Sequence, residues 1–215
     1  VSQSFEQGFA KRISYTLYVL SLKEWNLDEL MYRIIWKPFK IIGRQLQIFK
    51  SKSVLMGFSG LYALLVWLLY QEPMVSPHMM GLLPYVCGGI GLLMVFSSYA
   101  QKGSAMYSWL LLLMNHFWVG LSVAFNAHFD LGQVYIYLSG VIFTGLLGIL
   151  VLRRLKKLEG TLDLNRFYGH AFEHKKLALI FLVACLGMAG FPITPTYLGE
   201  DLLFSHIGEQ QVLLA

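Results

Sequence analysis

Three groups of residues carry side chains whose types and spacing could do chemistry. His116 stands inside a long apolar run, beside Asn115. An imidazole there could take up and release protons, because its ordinary pKa of about 6.5 lies close to neutrality. Glu200 and Asp201 close the passage LGMAGFPITPTYLGEDLLF, in which Gly187, Gly190, Pro192 and Pro195 interrupt an apolar stretch. Each proline removes a backbone donor and crowds the preceding turn, so a helix is expected to break there. A break at membrane depth is tolerated where protein or a water-filled cavity receives the freed carbonyls, and carboxylates beside it suit ion handling. The third group, His170, Glu173 and His174, spells HAFEH, the H-x-x-E-H order of one class of zinc peptidase.

Each group also has a plainer reading. His116 could bond a neighbouring helix while Asn115 holds the bundle together. Glu200 and Asp201 could be loop carboxylates in water. HAFEH specifies three positions, and the sequence offers no second cluster of histidines or carboxylates as a further ligand. It reads better as a helix start, so neither a metal nor another cofactor is expected. His116 and His128 are twelve residues apart on one helix and end at different depths, which argues against a haem pair. Ser108, Asn115, Ser122 and Asn126 recur at spacings of seven, seven and four, one polar stripe with His116 about 100° off its centre.

The elements that must position these groups are membrane helices. The chain is 56% hydrophobic and 13% charged. A soluble domain has about 45–50% apolar and about 25% charged residues. The net charge of +5 invites a nucleic-acid reading, but the basic residues lie at the ends of apolar segments, where membrane orientation explains them better. Cys87 and Cys185 each sit within an apolar run, which speaks against a disulfide or thiolate site. No signal peptide is recognisable. With Val1 at one end and VLLA at the other, the sequence reads as a piece of something longer.

Residues 1–52 form one segment and 53–215 the bundle. In the first, Leu27, Leu30, Met31, Ile34 and Ile35 share one helical side, with Asp28, Glu29 and Arg33 elsewhere. Trp25 and Trp36 bracket it, as in a helix lying in the membrane interface, and Pro38 is expected to interrupt it. Asp28 and Glu29 are either a solvated face or, with Trp25, a docking contact for a partner subunit. Apolar spans then cover about 54–70, 79–99, 105–127 and 131–152, and the broken stretch from Lys175 makes a fifth. Lysines and arginines alternate side by side with these crossings, putting 1–52 and 153–174 in the cytoplasm. The fold expected is all-α: a polytopic transmembrane bundle of about five to six crossings with an N-terminal amphipathic interfacial helix.

Two passages resemble a known family. LGMAGFPITPTYLGEDLLF is similar to a signature of the antiporter-like membrane subunits of respiratory complex I and of Mrp-type sodium/proton antiporters. Gly187, Ala189, Gly190, Pro192, Gly199, Glu200 and Leu202 carry the likeness. EWNLDELMYRIIWKPFKIIGRQL resembles the piece before the last membrane helix of the largest such subunit, through Trp25, Asp28, Glu29, Leu30 and Pro38, with Met31 where a tyrosine is usual. The resemblance implies a multi-pass subunit of the inner (plasma) membrane, moving protons or sodium within a larger complex of membrane subunits. His116, Glu200 and Asp201 would then be its protonatable positions, and Pro192 and Pro195 would shape the break. The family's intramembrane lysines have no counterpart in the five spans. The span expected to carry a histidine–alanine–x–x–lysine run reads YIYLSGVIFTGLLGILV, with Ser139 and Thr144 as its small polar groups. A non-conducting scaffold that anchors partners through residues 1–52 is therefore the second expectation, and a membrane metalloenzyme built on HAFEH the third.

Overall fold

A computed structural model of the chain describes residues 14–22, 26–45, 52–71, 77–125 and 131–205. Every regular element among them is helical. The chain divides into two compact units, Val1–Arg44 and Gln45–Ala215. In the first lie α1 (residues 14–22), α2 (Leu27–Met31), a π-helical turn at Tyr32–Trp36 and the start of α3 (Lys37–Gln45). Pro38 does not interrupt this helix, contrary to expectation. The wider π turn just before it accommodates the ring and the missing N–H, and the Lys37 N–H still reaches the Tyr32 carbonyl. Leu27, Leu30, Met31, Ile34 and Ile35 are all exposed within this unit, as are Asp28 and Glu29. Glu29 pairs with Arg33 one turn on. Trp25 lies outside the described residues, as do Asn126 and His128.

The second unit is a helical bundle: α4 (Lys52–Leu69), α5 (Pro77–Ala100), α6 (Ala105–Ala124), α7 (Leu131–Glu159), α8 (His170–Glu173), α9 (Lys175–Met188) and α10 (Pro195–Ser205). Among the described residues, three helices are long and apolar enough to cross a membrane, over Gly81–Ala100, Ala105–Ala124 and Leu131–Glu159. That is fewer than the five to six crossings read from the sequence. The apolar part of α4 is the shorter Leu55–Leu69. The expected fifth span is divided into α9 of 14 residues and α10 of 11. At about 1.5 Å per residue neither half alone reaches across about 30 Å of hydrocarbon.

α5 and α6 form an antiparallel hairpin whose seam is the polar stripe. Ser104 caps α6, its hydroxyl accepting the Tyr107 N–H at 3.4 Å. Ser108 and Ser98 hydroxyls meet at 2.7 Å, and each also contacts the other's carbonyl, at 2.9 and 3.1 Å. Seven residues along α6, Asn115 lies against Gly91, where a Cβ would come within 2.9 Å of Asn115 Oδ1. Seven further, the Ser122 hydroxyl donates to the Pro84 carbonyl at 2.6 Å. Each step of seven forward in α6 is thus matched by seven back in α5, the repeat of a coiled-coil seam.

α6 turns its other side to α7 through small residues. Gly148 receives the Trp109 indole, whose Nε1–H donates to the Gly145 carbonyl at 3.0 Å, and Gly145 receives Leu113. One apolar core surrounds Trp118, with Leu65, Cys87, Met94, Leu111, Leu121 and Phe125 from α4, α5 and the α6 region. A second joins α6, α7, α9 and α10 around Trp109, Val141 and Ala184. The connections 101–104 and 160–164 pair through Ala105 N–H to Leu162 O at 3.0 Å and Leu164 N–H to Lys102 O at 2.8 Å. Lys102 and the basic end of α7 therefore lie at the same end of the bundle.

Candidate functional site

The break between α9 and α10 is a built joint. Gly190, at φ 65°, sits just past the end of α9, and the Phe191 N–H returns to the Leu186 carbonyl at 3.0 Å. This is the Schellman stop, which needs a left-handed residue that only glycine adopts freely. Pro192 follows, where a proline prevents the helix from resuming. Thr194 then caps α10: its hydroxyl accepts the Tyr197 N–H at 3.3 Å, and its carbonyl accepts the Leu198 N–H at 3.2 Å. Pro195 occupies the first helical position, where its missing N–H costs nothing. Gly190, Pro192 and Pro195 are thus stop, spacer and start of two half-helices. Ile193 between them takes φ 85°, a strained conformation for a β-branched residue.

Both halves rest on α7 and run antiparallel to it, and small residues let the backbones close. The Thr144 methyl fills the space at Gly187. A Cβ at Gly140 would strike the Thr196 backbone, and one at Gly199 the Tyr137 backbone. The carboxylate following Gly199, that of Glu200, folds back over Gly190, whose Cβ would collide with Glu200 Oε2. Glu200 is half-buried at the joint.

Tyr137 connects this joint to α6. Its hydroxyl lies 2.6 Å from His116 Nδ1, a short contact between two helices. Its backbone also packs against Gly199, the residue before Glu200. His116 on α6, Tyr137 on α7 and Glu200 on α10 therefore form a line of protonatable groups ending at the joint. In the surrounding seams Gln133 Oε1, one turn before Tyr137, and Thr196 Oγ1 are buried without a hydrogen-bond partner among the described residues. Buried polar atoms of this kind take a bridging water where there is room.

Of the residues singled out in the sequence, His116 bonds Tyr137 on α7, and Glu200 lies at the joint that Gly190, Pro192 and Pro195 build. Asn115 is not in this line; it faces α5. Asp201 is exposed, unlike its neighbour. Ser139 and Thr144 spend their hydroxyls on carbonyls of their own helix, Ile136 and Gly140, at 2.7 and 2.8 Å. Tyr137 was missed. The available signal was its place one turn before Gly140, at the head of the small-residue row Gly140, Thr144 and Gly148 that lines the buried side of α7.

At the other end of α7, away from this line, Glu159 meets the HAFEH segment. Its Oε1 is 3.4 Å from His170 Nε2 and 3.5 Å from His174 Nε2. No known protein family, curated protein or solved structure matches the chain.

Proposed function

We propose that this chain is a membrane subunit of a proton- or sodium-translocating complex, with His116, Tyr137 and Glu200 as its ion path beside a divided helix. The observation that carries the reading is the 2.6 Å contact between His116 and Tyr137, which ties a titratable imidazole to the joint where Glu200 sits. A hydroxyl both accepts and donates, so Tyr137 can hand a proton from one neighbour to the next as its O–H rotates. Small residues pack α7, α9 and α10 closely, and the two capped half-helices leave their end groups at mid-bundle, an arrangement transporters use around ion sites. In this topology α4 and the joined α9–α10 pair also cross, giving five passes, with the basic ends facing the cytoplasm. The likeness to antiporter-like subunits adds the expectation of redox-coupled partners in the inner (plasma) membrane.

The test is proton flux in vesicles reconstituted with the full chain under an imposed potential. His116→Ala should lower flux while leaving assembly intact, and flux equal to the parent's would remove His116 from the mechanism. A second reading, a non-conducting anchor for partner proteins, is favoured by the amphipathic pattern of Leu27, Leu30, Met31, Ile34 and Ile35 in the first unit and by the absence of lysine from the apolar spans. Deleting residues 1–45 separates the two. An anchor loses its partner, whereas an ion path formed by α6, α7 and α10 keeps its flux.

A further inference from the structure

We propose that Glu159, Glu173 and His174, with His170 adjoining Glu159, bind a divalent transition-metal ion, best matched by Zn²⁺, that fastens the end of α7 to the start of α9. The sequence offered HAFEH without another ligand; the fold supplies it from α7. Glu159, Glu173 and His174 present ligand atoms that all lie within 4.8 Å of one another. His170 Nε2 stands beside this group, 3.4 Å from the same Glu159 oxygen that lies 3.5 Å from His174 Nε2.

These separations discriminate between two kinds of contact. A direct N–H···O hydrogen bond usually spans about 2.7–3.2 Å, and both contacts lie beyond that range. Ligand atoms around a tetrahedral zinc ion with bonds of about 2.0–2.1 Å stand about 3.3–3.4 Å apart. Both histidines therefore approach Glu159 at ligand-to-ligand spacing. His170 Nε2 is buried yet has no hydrogen-bond partner among the described residues, as a nitrogen reserved for an ion would be. Two carboxylates converging at one point also repel each other, and a divalent cation removes that repulsion. Imidazole together with carboxylate, and no thiolate, suits zinc and its first-row neighbours better than calcium or magnesium, which prefer oxygen alone.

The local fold holds the ligands in place. The His170 ring stacks on Tyr168, with centroids 5.0 Å apart and planes 10° from parallel. The Tyr168 hydroxyl is itself fixed by the Asp163 N–H at 2.8 Å. The His174 N–H bonds the His170 carbonyl at 2.9 Å, keeping the two imidazoles one turn apart. Gly160, at φ 78°, ends α7 just after Glu159, with its N–H on the Lys156 carbonyl at 2.9 Å. The ion would thus close the loop 160–169 from both sides.

The experiment uses the full chain in detergent micelles, stripped with a chelator and titrated with Zn²⁺ against a chromophoric competitor. One equivalent should bind per chain, and Co²⁺ in its place should give the visible absorption of a four-coordinate site. Glu159→Gln and His174→Ala should each weaken zinc binding by at least about tenfold. Cys185→Ser, which removes a half-buried thiol, should leave it unchanged. Circular dichroism checks that the variants fold, and Glu173→Gln stands in if His174→Ala does not. Failure of the parent to take up zinc, or equal affinity in the folded ligand variants, overturns the proposal.

Discussion

Replacing Tyr137 by Phe is the sharpest probe of the proposed ion path, because it deletes one oxygen and leaves everything else in place. The ring stays in its pocket and Gly199 still meets the same backbone. What is lost is the 2.6 Å bond to His116 Nδ1. A net hydrogen bond contributes about 0.5–1.5 kcal/mol, and a buried polar group left without its partner costs about 1–3 kcal/mol. His116 is only half-buried, so the low end applies and a loss of about 1–2 kcal/mol in stability is expected. That is too little to unfold a typical domain. Flux should fall much further than stability suggests, since the hydroxyl is the group bridging the imidazole to the joint; a barrier increase of only about 1.4 kcal/mol already slows transfer tenfold. The assay is dye-reported acidification of vesicles under an imposed potassium potential, with exposed Ser139→Ala as the control. His116→Gln completes a double-mutant cycle: if both residues act through one bond, the double variant is no slower than the slower single one. Flux within about twofold of the parent in folded Tyr137→Phe, well short of that tenfold loss, would refute the relay.

Two further outcomes test the packing that holds the path. Gly140→Ala should destabilise the bundle by at least about 1–3 kcal/mol, because the new methyl meets Thr196 backbone atoms that no rotamer change can move. Thermal unfolding in detergent measures it, and an unchanged midpoint would mean that α10 does not rest on α7 there. Ser98→Ala and Ser108→Ala should show a coupling of about 0.5–1.7 kcal/mol in a double-mutant cycle, the range found between membrane helices. Strict additivity of the two losses would deny the reciprocal bond.

What was legible in the sequence follows from what is local. The long apolar helices, the stripe Ser108–Asn115–Ser122 and the break at Gly190–Pro192–Pro195 are all written in short-range spacing, and each is found in the fold. The joint's caps, Gly190 and Thr194, also obey local rules that could have been read. Partnerships across helices were not legible. Nothing near His116 announces that its neighbour is Tyr137, and nothing near HAFEH announces Glu159, because both depend on how α7 packs. Asn115 and His116, adjacent in sequence, face different helices because one residue is about 100° of rotation. The break in the last apolar run was legible too, but not its form: Gly190 and Thr194 cap two separate half-helices, α9 and α10, there.

The matched sevens of the α5–α6 hairpin make that pair intolerant of insertions and deletions. Removing one residue between Pro84 and Ser98 would turn the remainder of α5 by about 100° and slide it about 1.5 Å. The Ser98 and Pro84 contacts could then no longer be satisfied together, and Gly91 would give way to a bulkier neighbour against Asn115. Length changes should therefore be confined to the connection at Gln101–Ser104, while the helices themselves vary only by substitution. A deletion scan across residues 84–122 would expose this as a sharp boundary in expression at the helix ends.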